Sequence, residues 1–130
     1  MKVCVPVSIG ELFDKISILE IKKNRIKDKD KLIIVQKEYD ELTQVACGGC
    51  FSPDDCLYEE LKGINTDLWI IEDRIRRREK RKQFDQTFID LARKIYILND
   101  TRSAIKRKIN QLHDSEYIEV KQYAEYEVAT

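Results

Sequence analysis

The amino-acid sequence predicts an all-α fold, an antiparallel helical bundle made of two unequal helix hairpins. Three observations carry this. Between Asp85 and His113, the residues Phe88, Leu91, Ile95, Leu98, Arg102, Ile105, Ile109 and Leu112 recur at alternating steps of three and four, a seam for packing one long helix on another. A second seam of the same kind runs through Leu57, Leu61, Ile64, Leu68, Ile71 and Ile75. Finally, 37% of the chain is charged and 42% hydrophobic, with only 4 Gly and 2 Pro, which suits helices joined by few turns. A chain of 130 residues makes one domain with a modest core, so 1–130 reads as a single helical domain organised around the 85–113 stretch.

Taken in order, Val3, Val5 and Val7 alternate and suggest a short strand, a candidate to pair with the C-terminal tail. Ser8 and Glu11 form a capping box with Val7 and Leu12 at the staple positions, starting a helix over 9–27. Its seam is Ile9, Leu12, Ile16, Leu19 and Ile26, and Phe13, Ile18 and Ile21 add apolar surface off that seam, so it needs cover on more than one face. Asp28-Lys29-Asp30 connects to a second helix over 31–47 carrying Leu32, Val35, Tyr39, Leu42 and Ala46. Folded antiparallel, this pair sets Leu19 near Tyr39, Ile16 near Leu42 and Leu12 near Ala46.

Cys47-Gly48-Gly49-Cys50 stops that helix, and Ser52-Pro53-Asp54-Asp55 restarts the chain with Ser as cap and Pro in the first turn. The third helix, 53–82, dissolves into the basic run Arg76 to Lys82. Asp85 caps the fourth, 86–113, with Phe84 and Ile89 at its staple positions. An acidic, tyrosine-containing tail occupies 114–130. Because the first two helices are shorter than the last two, Phe88 and Leu91 near the long hairpin's tip, and Phe13, Ile18 and Ile21 on helix one, are expected to lack cover inside one chain. That predicts a two-fold homodimer.

Charge limits the partners. Lys+Arg 24 and Asp+Glu 24 cancel, which argues against a general nucleic-acid or membrane binder while leaving a local patch open. Arg74 to Lys82 holds seven bases and one Glu, but Glu72 with Arg76 and Asp73 with Arg77 are i,i+4 pairs, and aromatics that would stack bases are absent from the run. Nucleic-acid binding is therefore not expected. The longest apolar run, Leu32 to Val35, spans no membrane. Met1 to Val7 is too short for an export signal and is stopped by Pro6, so the four cysteines read as reduced thiols of a cytoplasmic protein. Cys47, Cys50 and Cys56 lack a second paired motif, with only Cys4 and His113 elsewhere, so no metal and no cofactor are expected. Lone His113 has no partners for a triad.

Arg102 stands at a seam position and must be paired, because an unpaired buried charge costs several kcal/mol. In a hairpin turning near Phe84 it falls opposite Asp67, with Asn99 near Trp69, while Glu11 and Asp14 share one stripe of helix one. The expected contact is with Asp67, Glu11 or Asp14. One reading is a buried ion pair that sets bundle register. The other is a pocket for an anionic or sugar-like ligand formed by Arg102, Lys106 and Asn99. The carboxylate pattern of all-helical nucleotide pyrophosphohydrolases fails, since Glu59-Glu60 is followed by Gly63 where a third Glu is needed, and Glu11 and Asp14 lie upstream.

The segments SIGELFDKISILEIK (8–22), LWIIEDRIR (68–76) and FIDLARKIYILNDTRSAIKRKIN (88–110) resemble a family of short, uncharacterised all-helical proteins of bacteria and phages. In that family Glu11, Asp14, Lys15, Glu72, Asp73, Asn99, Asp100, Arg102, Lys106 and Asn110 match recurring polar positions. The resemblance implies no established activity and no catalytic residue, and associates the family with cell-surface polysaccharide genes. The expected function is that of a non-enzymatic, oligomeric helical interaction protein. The alternative is a small helical enzyme or binder of a phosphorylated or sugar-nucleotide ligand. Its candidate ligand-binding residues are Glu11, Asp14, Lys15, Asp67, Glu72, Asn99, Arg102 and Lys106.

Overall fold

A computed structural model describes residues 1–49 and 55–128. It contains α1 (Ile9–Arg25), α2 (Lys29–Cys47), α3 (Cys56–Lys80) and α4 (Gln86–Leu112), and the fold is all-α. Among the described residues there is no strand. Val3, Val5 and Val7 are exposed, and the tail runs back along α4 instead of pairing with them. Alternation alone supplies no partner edge, and the tail's anchors are side chains on α4.

Each described helix start is capped by a side chain. Ser8 Oγ accepts from Glu11 N (3.1 Å), Asp28 from Asp30 N and Lys31 N, Asp55 from Leu57 N and Tyr58 N, and Asp85 from Phe88 N. The expected Ser52 cap and Pro53 first turn lie outside the described residues, and α3 begins at Cys56 behind Asp55. Helix α2 ends at Cys47 as the glycines suggested, although Gly48 keeps a right-handed conformation (φ −70°). Two further expectations are corrected. Glu11 does not complete the capping box, since its carboxylate reaches Lys106 instead. Phe84 packs edge-to-face on Phe88 (5.3 Å between centroids), and Ile89 is exposed rather than stapled to Phe84.

The hub is α1, not α4. It packs against α2, α3 and α4, whereas α2 meets only α1 at backbone range. Phe13 and Ile16 of α1 sit at the centre of a core shared with Ala46, Tyr58, Leu61, Ile105 and Ile109. This is the physical sense of apolar residues on more than one face of α1. Each large side chain fully buried there contributes about 1.5–3 kcal/mol. Helix α1 runs antiparallel to α4: Gly10 lies against Asn110, and Asp14 against Arg102. A Cβ on Gly10 would stand 2.6 Å from the Lys106 carbonyl oxygen and 3.0 Å from Asn110 Oδ1, so glycine permits the close approach. The orphan N–H groups of Ile9 and Gly10 are satisfied from the far end of the chain, by Ser115 Oγ (3.1 Å) and Asn110 Oδ1 (2.7 Å).

The apolar surface from which a dimer was expected is mostly covered within the chain. Leu91 is 3% exposed, Phe13 and Ile21 are buried, and Phe88 and Ile18 are half-buried. Arg78, whose stem lies near the tip, pairs with Asp85 at 2.9 Å. The exposed aliphatics are elsewhere, notably Ile33, Ile34 and Val45 on α2. Among the described residues no helix is long and apolar enough to cross a membrane.

Candidate functional site

Helical spacing builds the site from three elements. Glu11 and Asp14 are one turn apart on α1, Arg102 and Lys106 one turn apart on α4, and Asn65 projects from α3. Asp14 is 1% exposed, and both its oxygens are occupied. Arg102 Nε donates to Oδ1 (2.9 Å) and Arg102 Nη2 to Oδ2, a bidentate pair. Asn65 Nδ2 adds a bond to Asp14 Oδ1 and another to Ser17 Oγ, each 2.8 Å. Arg102 Nη1 donates to Asn99 Oδ1 at 3.3 Å. One turn on, Lys106 Nζ donates to Glu11 Oε2 (2.7 Å) and Glu119 Oε2 (3.0 Å) and stands 3.8 Å from Asp14 Oδ2.

The network is a partly buried ion cluster with two cations and three carboxylates, in which Asp14 and Lys106 are buried and Glu11 and Glu119 reach solvent. The hydrogen bond to Asp14 holds the Arg102 guanidinium above its ordinary pKa, outweighing burial. Burial works to lower the Lys106 ammonium, but the bonds to Glu11 and Glu119 and the field of Asp14 prevail and raise it. The bond from Lys106 holds the Glu119 carboxyl below the usual range. Both cations therefore stay charged at neutral pH.

Above this cluster α1, α3 and α4 leave an open cleft of about 480 Å³. Ile18, Ile21, Leu68 and Trp69 supply apolar wall, and Asn65, Asn99, Arg102 and Glu72 supply polar groups. Three of the five guanidinium N–H groups of Arg102 are used by Asp14 and Asn99, leaving two without a partner among the described residues.

Of the candidate residues, Glu11, Asp14, Arg102 and Lys106 form one connected network, and Asn99 and Glu72 line the adjoining cleft. Asn99 and Trp69 share that cleft, as the hairpin register implies. Asp67 is not opposite Arg102. It is exposed on the other side of the α3–α4 pair, beside Ile70, Arg74 and Lys94, because α1 fills the groove that Arg102 faces. Lys15 is exposed and outside the network. Sequence reasoning missed Asn65, Ser17 and Glu119. Asn65 had a signal, as a polar residue four after Leu61 and three before Leu68 on an apolar stripe. Glu119, in the tail, had none. Among the described residues no group of three or more His, Cys, Asp or Glu is placed to hold a metal ion.

An all-α bundle with a buried Asp–Arg–Asn cluster under an open cleft defines a class of protein by architecture rather than by reaction. The chain belongs to a family of unknown function (DUF6165), whose model matches residues 1–129. No curated protein and no solved structure matches the chain.

Proposed function

We propose that the protein is a non-catalytic binding module that takes a small hydroxyl-rich ligand, of the kind found in a sugar or the sugar part of a sugar-nucleotide, in the α1–α3–α4 cleft. The observation that carries this is Arg102, clamped from behind by Asp14 and from the side by Asn99, with two N–H donors left over at the cleft. Pre-aimed polar groups against an apolar wall characterise small-molecule sites. Arg102, the Asn99 amide and the Glu72 carboxylate offer both donors and acceptors, which is what hydroxyl groups require, and the Trp69 ring offers a surface for the apolar face of a sugar ring. A bare phosphate is disfavoured, since both cations on the cleft wall are already paired, Arg102 with Asp14 and Arg76 with Glu72, and Asp73 lies beside them. No proton-transfer role is assigned, as both oxygens of Asp14 are committed to Arg102. A thermal-shift screen against sugars, nucleotides and divalent metals tests the reading. Ligand binding to the native state raises stability by RT ln(1 + [L]/Kd), so one sugar class should raise Tm and Trp69→Ala should abolish the rise. No shift with any sugar refutes it.

Self-association is a second reading, supported by Ile33 and Ile34, 69% and 68% exposed on a helix whose backbone approaches only α1 among the described helices. A homodimer covering that face is expected to sediment as a single species of twice 15.4 kDa, and a monomer at micromolar concentration refutes it. Unpaired Cys4, Cys47 and Cys56 support a reducing, cytoplasmic setting, which cell fractionation tests.

A further inference from the structure

The chain is neutral as a whole, yet its charge is strongly divided along the bundle. Because α1 is antiparallel to α4, its C-terminus points toward the α3–α4 turn, and the α1–α2 turn lies at the same end of the bundle as that tip. Residues 22–31 and 72–94, which make up this end, hold fifteen bases against seven acids, a net of +8. Since the chain sums to zero, the remainder carries −8.

Within the tip, Arg76, Arg77 and Arg78 are consumed by Glu72, Asp73 and Asp85. Lys80, Arg81 and Lys82 carry no ion pair among the described residues and are exposed. The hairpin also overshoots its cover, since α3 is about 37 Å long and α1 about 25 Å. At its apex Phe84 is 57% exposed, its ring propped edge-to-face on Phe88, and Ile89 is exposed beside it.

We infer that this basic end, crowned by Lys80, Arg81, Lys82 and Phe84, docks the protein end-on to a membrane surface rich in anionic lipid headgroups. Cations near such a surface contribute about 1 kcal/mol each, and an aromatic apex enters the headgroup boundary. The acidic remainder of the chain is repelled by the same surface, which favours the bundle standing on this basic end. A convex knob suits a planar anionic interface. A single-stranded polyanion is gripped by a groove that tracks its backbone and by a row of aromatics that stack successive bases, whereas this apex presents a single well-exposed ring, Phe84, on a convex hairpin turn. No helix is inserted, consistent with the absence of a membrane-crossing helix among the described residues.

The test is co-sedimentation of the full chain with vesicles of phosphatidylcholine alone and of a phosphatidylcholine–phosphatidylglycerol mixture, at low and high salt. Expected are binding to the anionic vesicles only, loss at high salt, an at least tenfold weaker affinity for Lys80→Glu/Arg81→Glu (about fivefold per cation), and weaker binding of Phe84→Ser. The charge-matched control Arg107→Glu/Lys108→Glu, toward the opposite end of α4 and likewise exposed, should bind like wild type. Should the double reversal lose helicity, Lys80→Gln/Arg81→Gln carries the same comparison with a smaller expected loss. Equal binding to both vesicle types, or an unchanged affinity for the folded tip variant, overturns the inference. So does preferential capture of an oligonucleotide, or salt-sensitive self-association without vesicle binding, which would pair the tip with the acidic end of a second copy.

Discussion

Replacing Arg102 by alanine strands a carboxylate. Asp14 is 1% exposed, and without the guanidinium its oxygens keep one bond from Asn65 and the distant Lys106 ammonium at 3.8 Å. Removing one partner of a buried pair costs about 3–5 kcal/mol, most of it the desolvated charge left behind. With a urea m-value of about 2 kcal/mol/M for a chain of this size, the denaturation midpoint should fall by about 1.5–2.5 M. Arg102→Met keeps the packing of the stem and should be milder. The companion change Asp14→Asn removes the stranded charge, so Arg102→Met/Asp14→Asn should be less destabilised than the sum of its parts by about 1 kcal/mol or more. Far-UV circular dichroism against urea measures all of this. If Arg102→Ala and Arg102→Met both unfold at the wild-type midpoint, the pair does not stabilise the bundle and the reasoning fails.

Gly10→Ala should destabilise by about 1–3 kcal/mol, because the new methyl meets the Lys106 backbone carbonyl, which cannot move cheaply. A melting temperature equal to or above wild type would show that glycine does not set the α1–α4 spacing. Glu119, with its pKa lowered by Lys106, should hold the tail above the ordinary carboxylate pKa and release it as pH falls through the lowered value. Protection factors for the amides of residues 115–121, followed from pH 6 downward, should fall as the pH passes below the ordinary carboxylate range, and Glu119→Gln should lack that protection at every pH. The Tyr126 hydroxyl donates to Asp100 and is pushed up to about 12, so its contribution is full below pH 10 and lost as pH rises through that value. Ultraviolet titration of tyrosinate should show a tyrosine with a midpoint at about 12 that Asp100→Asn returns toward 10, distinct from Tyr58, which burial and its bond to Glu20 push up further still.

Much of the local architecture was legible in the residues. The i,i+4 pairs Glu72–Arg76 and Asp73–Arg77 form as spacing requires, Asp85 caps the helix it precedes, and of the two aspartates in the 28–30 connection it is Asp28 that caps α2, two residues earlier than the expected start. Such interactions lie within a turn or two of one helix, so sequence order specifies them. The seams through Leu61, Leu68, Ile105 and Ile109 likewise marked faces that end up buried. Register across elements was less legible. A two-helix view of α3 and α4 placed Asp67 opposite Arg102, whereas of the three acids expected, Asp67, Glu11 and Asp14, it is Asp14 of α1, 88 residues away, that pairs with it.

The sequence by itself determined that four helices form, that α1 needs cover on several faces, and that an arginine in an apolar seam must find an acid. The periodicity of one helix and the cost of a buried charge are enough for each of those conclusions. Which acid, and what lies around it, only the tertiary structure decided. Asp14, Asn65 and Glu119 converge on Arg102 and Lys106 because α1 wedges against the α3–α4 groove and the tail folds back along α4. Likewise, Glu11 looked like half of a local capping box, but Lys106 offers it a charged partner that its own turn lacks. Contacts between distant segments depend on how three helices share one core, and no spacing within a single helix encodes that.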